Sequence, residues 1–295
     1  MSAVRKSLGL LMITLLVGSF VQRAQAADTP DKLKSAIRLI DEYKTPGTEA
    51  ELSGIYPHPT DPNLYYVLAN LRPPYRYGQK PVLPAIYRGS LLTVNREGKV
   101  LKATHLADDD FGGMVVTDKH VYVALTTAAE ILKLDPETLS VQARFQLPFP
   151  AGGLGYDKER NVLIAQLYVE HPNLSVLDAE TGAILKTLWS DESAMGLAKI
   201  DGDWLCTWAS GWDPGSFSEL RVIDQDTGHV RERTRLDGVH TSLAPATDGS
   251  GNPAFLSLVT VNSSTGETVI RKYQYTGEHN RTPAETSGIA ETAKH

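Results

Sequence analysis

Leu134-Asp135-Pro136-Glu137-Thr138, Leu177-Asp178-Ala179-Glu180-Thr181-Gly182 and Ile223-Asp224-Gln225-Asp226-Thr227-Gly228 are three versions of one turn, each following a short β-type run and preceding another. Weaker versions are Val94-Asn95-Arg96-Glu97-Gly98 and Tyr275-Thr276-Gly277-Glu278. From Gly98 through Leu139, Gly182 and Gly228 to Gly277 the steps are 41, 43, 46 and 49 residues. That period lies in the range of propeller blades. A single four-stranded unit cannot bury both faces, so the copies must pack on one another. The turn has a mechanism: Asp bonds the backbone two residues on, and Gly supplies the positive φ that closes a hairpin.

Between the turns the strands keep a constant order. In the third copy they are Gly152–Asp157, Asn161–Gln166, Leu174–Asp178 and Ala183–Trp189, hydrophobic or β-branched runs bounded by Gly, Asp and Asn. First strands begin at Ser53-Gly54-Ile55, Gly112-Gly113-Met114, Gly152-Gly153-Leu154, Met195-Gly196-Leu197 and Thr241-Ser242-Leu243. Small residues there suit crowding around a central axis. The expected fold is all-β: a single β-propeller of five blades of four antiparallel strands, six blades being the alternative. The fifth unit lacks a fourth strand after Gly277. Residues 35–43 are expected to fill it, which closes the ring and removes open edges. An amphipathic helix opening at Asp31-Lys32-Leu33-Lys34 is the competing reading.

The ends carry different information. Arg5 and Lys6, an apolar Leu8–Val17 core and Ala24-Gln25-Ala26 have the layout of an export signal over residues 1–26. The apolar run is shorter than the roughly 20 residues of a spanning helix, so no membrane span is expected. The propeller is expected over 27–282, and a disordered, polar tail over 283–295. Localisation is expected to be periplasmic or secreted. Loss of residues 1–26 removes Arg5, Lys6 and Arg23 and no acid, taking 29 basic and 35 acidic residues to 26 and 35, or a net charge of −9. Such a balance argues against nucleic acid, whose backbone demands clustered Lys and Arg. The single cysteine, Cys206, rules out an internal disulfide and reads as a small buried residue.

No His-Glu-x-x-His, Gly-x-Ser-x-Gly, phosphate loop or Cys-x-x-Cys is present. Candidate chemistry therefore comes from blade geometry: residues just before first strands and just after second strands gather at one mouth of the channel. The first set contains Glu51, Asp110, Glu192 and His240. Three acids and an imidazole could hold Ca²⁺ or a transition metal, or act as acid and base, while solvated turn charges are the plain alternative. The second set contains Asn70, Arg72, Gln166, Tyr168, Trp208 and Trp212, amide and aromatic groups suited to a small polar ligand with an apolar face. Arg72 lies in a Pro- and Tyr-rich insertion, Leu71–Pro84.

Tyr66-Val67-Leu68-Ala69-Asn70 and Tyr122-Val123-Ala124-Leu125-Thr126 resemble the Tyr-Val-Thr-Asn (YVTN) repeat family of exported β-propellers. Glu51-Leu52-Ser53-Gly54-Ile55 resembles the first strand of the exported SdiA-regulated propeller family. The resemblance spans roughly residues 50–278 and implies the fold. Relatives of that fold include lactonases, glutaminyl cyclases and binding scaffolds. Gly196-Leu197 through Trp208 resembles a glutaminyl-cyclase blade, without that family's Thr-Gln-Gly start. The expected function is a scaffold that recruits a small molecule or protein partner at the mouth. The alternatives are a lactonase- or esterase-type hydrolase with a metal centre at Glu51, Asp110 and Glu192, and a glutaminyl-cyclase-like acyltransferase.

Overall fold

The computed structural model describes residues 32–46, 51–70, 89–168, 173–190, 194–211, 215–262 and 267–277. The described residues from Leu33 onward belong to one compact unit, and of the other unit, residues 1–32, only Lys32 is described. Five antiparallel sheets make a five-bladed propeller. Blade 1 is β2 (Glu51–Pro57), β3 (Leu64–Asn70), β4 (Ser90–Asn95) and β5 (Val100–His105), after β1 (Ile37–Lys44) in the chain. Blade 2 is β6 (Phe111–Val116), β7 (Val121–Leu125), β8 (Glu130–Leu134) and β9 (Val141–Gln146). Blade 3 is β10 (Ala151–Asp157), β11 (Val162–Leu167), β12 (Leu174–Asp178) and β13 (Ile184–Leu188). Blade 4 is β14 (Gly196–Ile200), β15 (Asp203–Ala209), β16 (Phe217–Ile223) and β17 (Val230–Asp237).

Blade 5 takes strands from both ends of the described chain. Its innermost strand is split into β18 (Val239–His240) and β19 (Ala244–Thr247), both on β20 (Pro253–Asn262), followed by β21 (Glu267–Tyr275) and then β1. The β1 register runs from Ile37 opposite Tyr275 to Lys44 opposite Val269, so the N-terminal segment supplies the missing fourth strand. The helix reading also holds in part, because Lys32–Ser35 is a four-residue helix whose Leu33 is buried in the seam of blades 4 and 5. The expected first strand at Thr241-Ser242-Leu243 falls in the break. One backbone bond persists there, Thr241 N–H donating to Leu258 O (3.0 Å), and side chains supplement it: Ser257 Oγ donates to Ser242 O (2.7 Å) and Leu258 N–H donates to Ser242 Oγ (3.3 Å).

The turns have the expected mechanism, with nearly identical geometry three times. Asp135, Asp178 and Asp224 each accept at Oδ1 from the next-but-one N–H (3.0 Å), from the Thr N–H (2.8 Å) and from the Thr hydroxyl (2.9 Å). Gly182 and Gly228 close two of the turns at φ +73° and +81°, and Leu139 takes the same left-handed geometry at +60°. Each of the five seams between adjacent blades holds its own buried apolar cluster. Cys206 is buried in the seam of blades 3 and 4, next to Trp204 and Leu197. No helix among the described residues is long and apolar enough to cross a membrane.

Candidate functional site

First strands start, and second strands end, on one face of the disc. All five blades contribute there to a cup of about 340 Å³, in the size range of small-molecule sites. Its wall includes Glu51, Ser53 and Asn70 from blade 1, Asp110 and Thr126 from blade 2, Gly152 and Tyr168 from blade 3, Met195 before blade 4, and Thr241 from blade 5. Below it the channel narrows to about 10 Å³ between Gly54, Gly113, Gly153, Gly196 and Ser242, no more than one water site. The mouth is therefore a closed cup and not the entrance of a tunnel.

The floor is closed by close backbone approach. A Cβ on Gly112 would lie 2.0 Å from Ala151 O, and one on Gly196 2.6 Å from Leu243 N. The Tyr168 ring lies over Gly152, where a Cβ would come within 2.4 Å of its Cζ. Tyr168 N–H donates to Pro150 O (2.7 Å), and its side chain is half exposed. Burial, and then the Glu51 carboxylate, push its hydroxyl pKa up, so it is a neutral donor at ordinary pH.

The structure divides the expected site residues into groups. Glu51, Asn70, Asp110 and Tyr168 line the cup together. Asn70, however, is occupied as a clamp: its Oδ1 accepts from Phe111 N–H (2.8 Å) and its Nδ2 donates to Phe111 O (3.1 Å). Both polar atoms thus tie the seam of blades 1 and 2 at the wall of the cup. Gln166 is buried, with Nε2 donating to Asn173 O (3.1 Å), and it does not reach the cup. Trp208 lies outside the cup as well, on the face of blade 4, with the Arg221 guanidinium 4.9 Å above its ring.

His240 is the largest correction. It is fully buried beneath the rim, its Nδ1 2.9 Å from Ser257 Oγ and its Nε2 3.3 Å from Asp237 O. Burial, the dominant cause, pushes its pKa down to about 3, so it is a neutral structural imidazole. Arg72, Glu192 and Trp212 lie outside the described residues. Asp109, beside Asp110, is a structural acid. Its carboxylate accepts from Asp110, Thr127 and Ala128 N–H groups at 2.7–2.9 Å. Burial acts to raise its pKa, and these hydrogen bonds outweigh that effect and lower it. Asn173, in an Asn-Leu-Ser acceptor sequence, is fully buried in the fold.

Thr126, which follows a second strand and was expected at the mouth, lines the cup, and so do Ser53, Met195 and Thr241, which were not singled out from sequence as site residues. Ser53 occupies the β-bulge between the Leu52–Ala69 and Gly54–Leu68 pairs. Its Oγ is buried and has no hydrogen-bond partner among the described residues. A bulge re-aims a side chain, and a buried polar atom left unpaired calls for a ligand or a water. Thr126 spends both its N–H (2.8 Å) and hydroxyl (2.7 Å) on Asp110 O, fixing the backbone that carries Asp110. Among the described residues no three His, Cys, Asp or Glu side chains group as metal ligands.

No protein-family profile and no curated protein matches this sequence. Solved structures do. A glutaminyl cyclase from Myxococcus xanthus superposes at a TM-score of 0.55 with 12% identity, covering 82% of this chain and 97% of that one. A hydrazine synthase from Kuenenia stuttgartiensis gives 0.45 at 12% identity, covering 72% and 58%. The WD40 domain of Neurospora crassa Pan2 gives 0.42 at 11% identity, covering 77% and 64%. At such identities the likeness is one of fold: this chain is a five-bladed β-propeller.

Proposed function

We propose that the protein is an exported binding scaffold whose cup takes a small polar molecule with one apolar face. The observation that carries this reading is the unpartnered Ser53 hydroxyl in the wall of a closed, polar cup of about 340 Å³. Ser53 Oγ and the Tyr168 hydroxyl offer hydrogen bonds, and the Tyr168 ring offers the apolar face. A thermal-shift screen of sugars, amino acids and small amides tests it, with Tyr168→Ala and Ser53→Ala run in parallel. The expected result is a hit whose midpoint shift is lost in both variants. A complete screen with no hit that depends on either residue removes the reading. Export rests on residues 1–26, and N-terminal sequencing of protein from the cell envelope or medium should begin near Ala27.

Glutaminyl-cyclase-like acyl transfer is a second reading, favoured by the juxtaposition of Glu51 and Tyr168 at one cup. Ring closure of an N-terminal glutamine needs a group to take a proton from the attacking amine and one to give a proton to the departing ammonia. A carboxylate beside a protonated phenol supplies both. Ammonia release from a glutaminyl peptide, abolished by Glu51→Gln, is the assay. The hydrolase reading keeps Glu51 and Asp110 in one cup, and its third acid, Glu192, lies outside the described residues.

A further inference from the structure

The face opposite the cup carries a second and larger cavity, about 600 Å³, over the seam of blades 5 and 1. Its walls are largely apolar and flat-sided: Tyr56, Pro57, Pro59, Tyr65, Pro245 and Leu256. One cation lines it, Lys272 on β21, paired across the sheet with Leu256 on one side and Asp41 on the other. Lys272 is partly buried and makes no hydrogen bond or ion pair with any described residue. Asp41 and Asp248 act on its charge only from beyond contact, and burial, followed by Arg96, pushes its pKa down. An ammonium partly withdrawn from water with no counter-ion in contact is costly, and an anion placed directly against it offsets that cost.

The other polar groups narrow the ligand further. His58 also lines the cavity, its Nδ1 within 3.4 Å of Thr60 N and 3.3 Å of Thr60 Oγ1. Asp61 and Asp118 line it too, Asp61 accepting from Asn63 N–H (2.9 Å). The two acids disfavour phosphates and polycarboxylates, so only a singly charged anion seated directly on the Lys272 ammonium suits the cavity. We propose that this cavity is a binding site for a small monocarboxylate with a flat apolar body, the Lys272 ammonium holding the carboxylate and the proline and tyrosine faces covering the body. The inference stands independently of the cup, which lies on the other face of a channel closed between them.

Benzoate and phenylacetate, with benzamide as the neutral isostere and citrate as the polyanion, are titrated into the full-length protein by calorimetry. Saturable binding of the two carboxylates is expected, weakened at least about tenfold in Lys272→Met and in benzamide, as loss of a charge-assisted hydrogen bond implies. Lys272→Arg should retain binding, and Tyr168→Ala should leave it unchanged. Urea unfolding of Lys272→Met should match or exceed the parent, since an unpaired, partly buried charge is removed. No saturable binding of either carboxylate, equal binding of benzamide, or unaltered affinity in a folded Lys272→Met would overturn the proposal. If Lys272→Met does not fold, loss of binding in Lys272→Arg overturns it instead.

Discussion

Replacement of Asn70 by Ala should destabilise the propeller through a single backbone residue of the next blade. Asn70 meets both the N–H and the C=O of Phe111, at 2.8 and 3.1 Å, and both residues are buried. Truncation leaves two backbone groups without partners. Each orphaned buried group costs about 1–3 kcal/mol, which brackets the loss at roughly 2–6 kcal/mol. The cup adjoins both residues, so water can reach the vacated site, which places the expected value near the bottom of that range, about 2–3 kcal/mol. Asn70→Asp is the sharper variant. It keeps an acceptor for Phe111 N–H but turns a second acceptor on Phe111 O, so it should cost at least as much as Ala. Equilibrium urea unfolding measures both, and an unchanged slope would confirm that the native and unfolded states retain their exposed areas. An Ala variant within about 0.5 kcal/mol of the parent, or an Asp variant indistinguishable from it, would refute the clamp.

Two other perturbations test the ring. Gly112→Ala places a methyl 2.0 Å from Ala151 O, a backbone atom that cannot rotate away, so soluble yield should collapse or stability should fall by about 3 kcal/mol or more; a normally stable variant would contradict the packing at the axis. Across the seam of blades 3 and 4, Lys199 bridges Asp157 (2.9 Å) and Glu159 (2.6 Å). Burial works to raise the Asp157 pKa, but its bonds to Lys199 and Arg160 dominate and hold it at about 2. A carboxyl depressed on folding contributes stability above the unfolded value near 3.9, and that contribution is lost as pH falls from there through about 2. The urea midpoint of the parent should therefore drop between pH 4 and 2 relative to Asp157→Asn, and parallel profiles would rule the linkage out.

How much of this was legible beforehand depended on the range over which each feature is decided. The Asp-x-x-Thr-Gly turns are complete within a few residues, so Asp178, Thr181 and Gly182 make the hydrogen bonds and the left-handed turn their types imply. The closing strand was legible from bookkeeping of strands: the fifth unit lacked one, and Ile37–Lys44 has the composition to pair. The positions of Glu51, Asp110 and Tyr168 at one mouth followed from their place before or after a strand. Asn70 and Gln166 had the same positional warrant, yet their amides turn to Phe111 and Asn173, which no local pattern specifies. His240 stands before the expected fifth first strand, but that strand breaks at Thr241–Leu243 and aims the imidazole at Ser257, seventeen residues on. Ser53 was legible as the start of a first strand, but not its aim into the cup, because a bulge is a property of the pairing of two strands and not of one.

By itself, then, the sequence determined the repeat, the strand order and the joining of the two ends, since hydrophobic alternation and turn chemistry act between neighbours in the chain. Tertiary structure alone decided that the throat closes to about 10 Å³, that the mouth is a cup, and that the opposite face has a cavity lined by a Lys272 with no contact partner among the described residues. Those features arise where groups from different blades meet. Whether a polar side chain there is paired or left free depends on distances of a few tenths of an ångström that only packing sets.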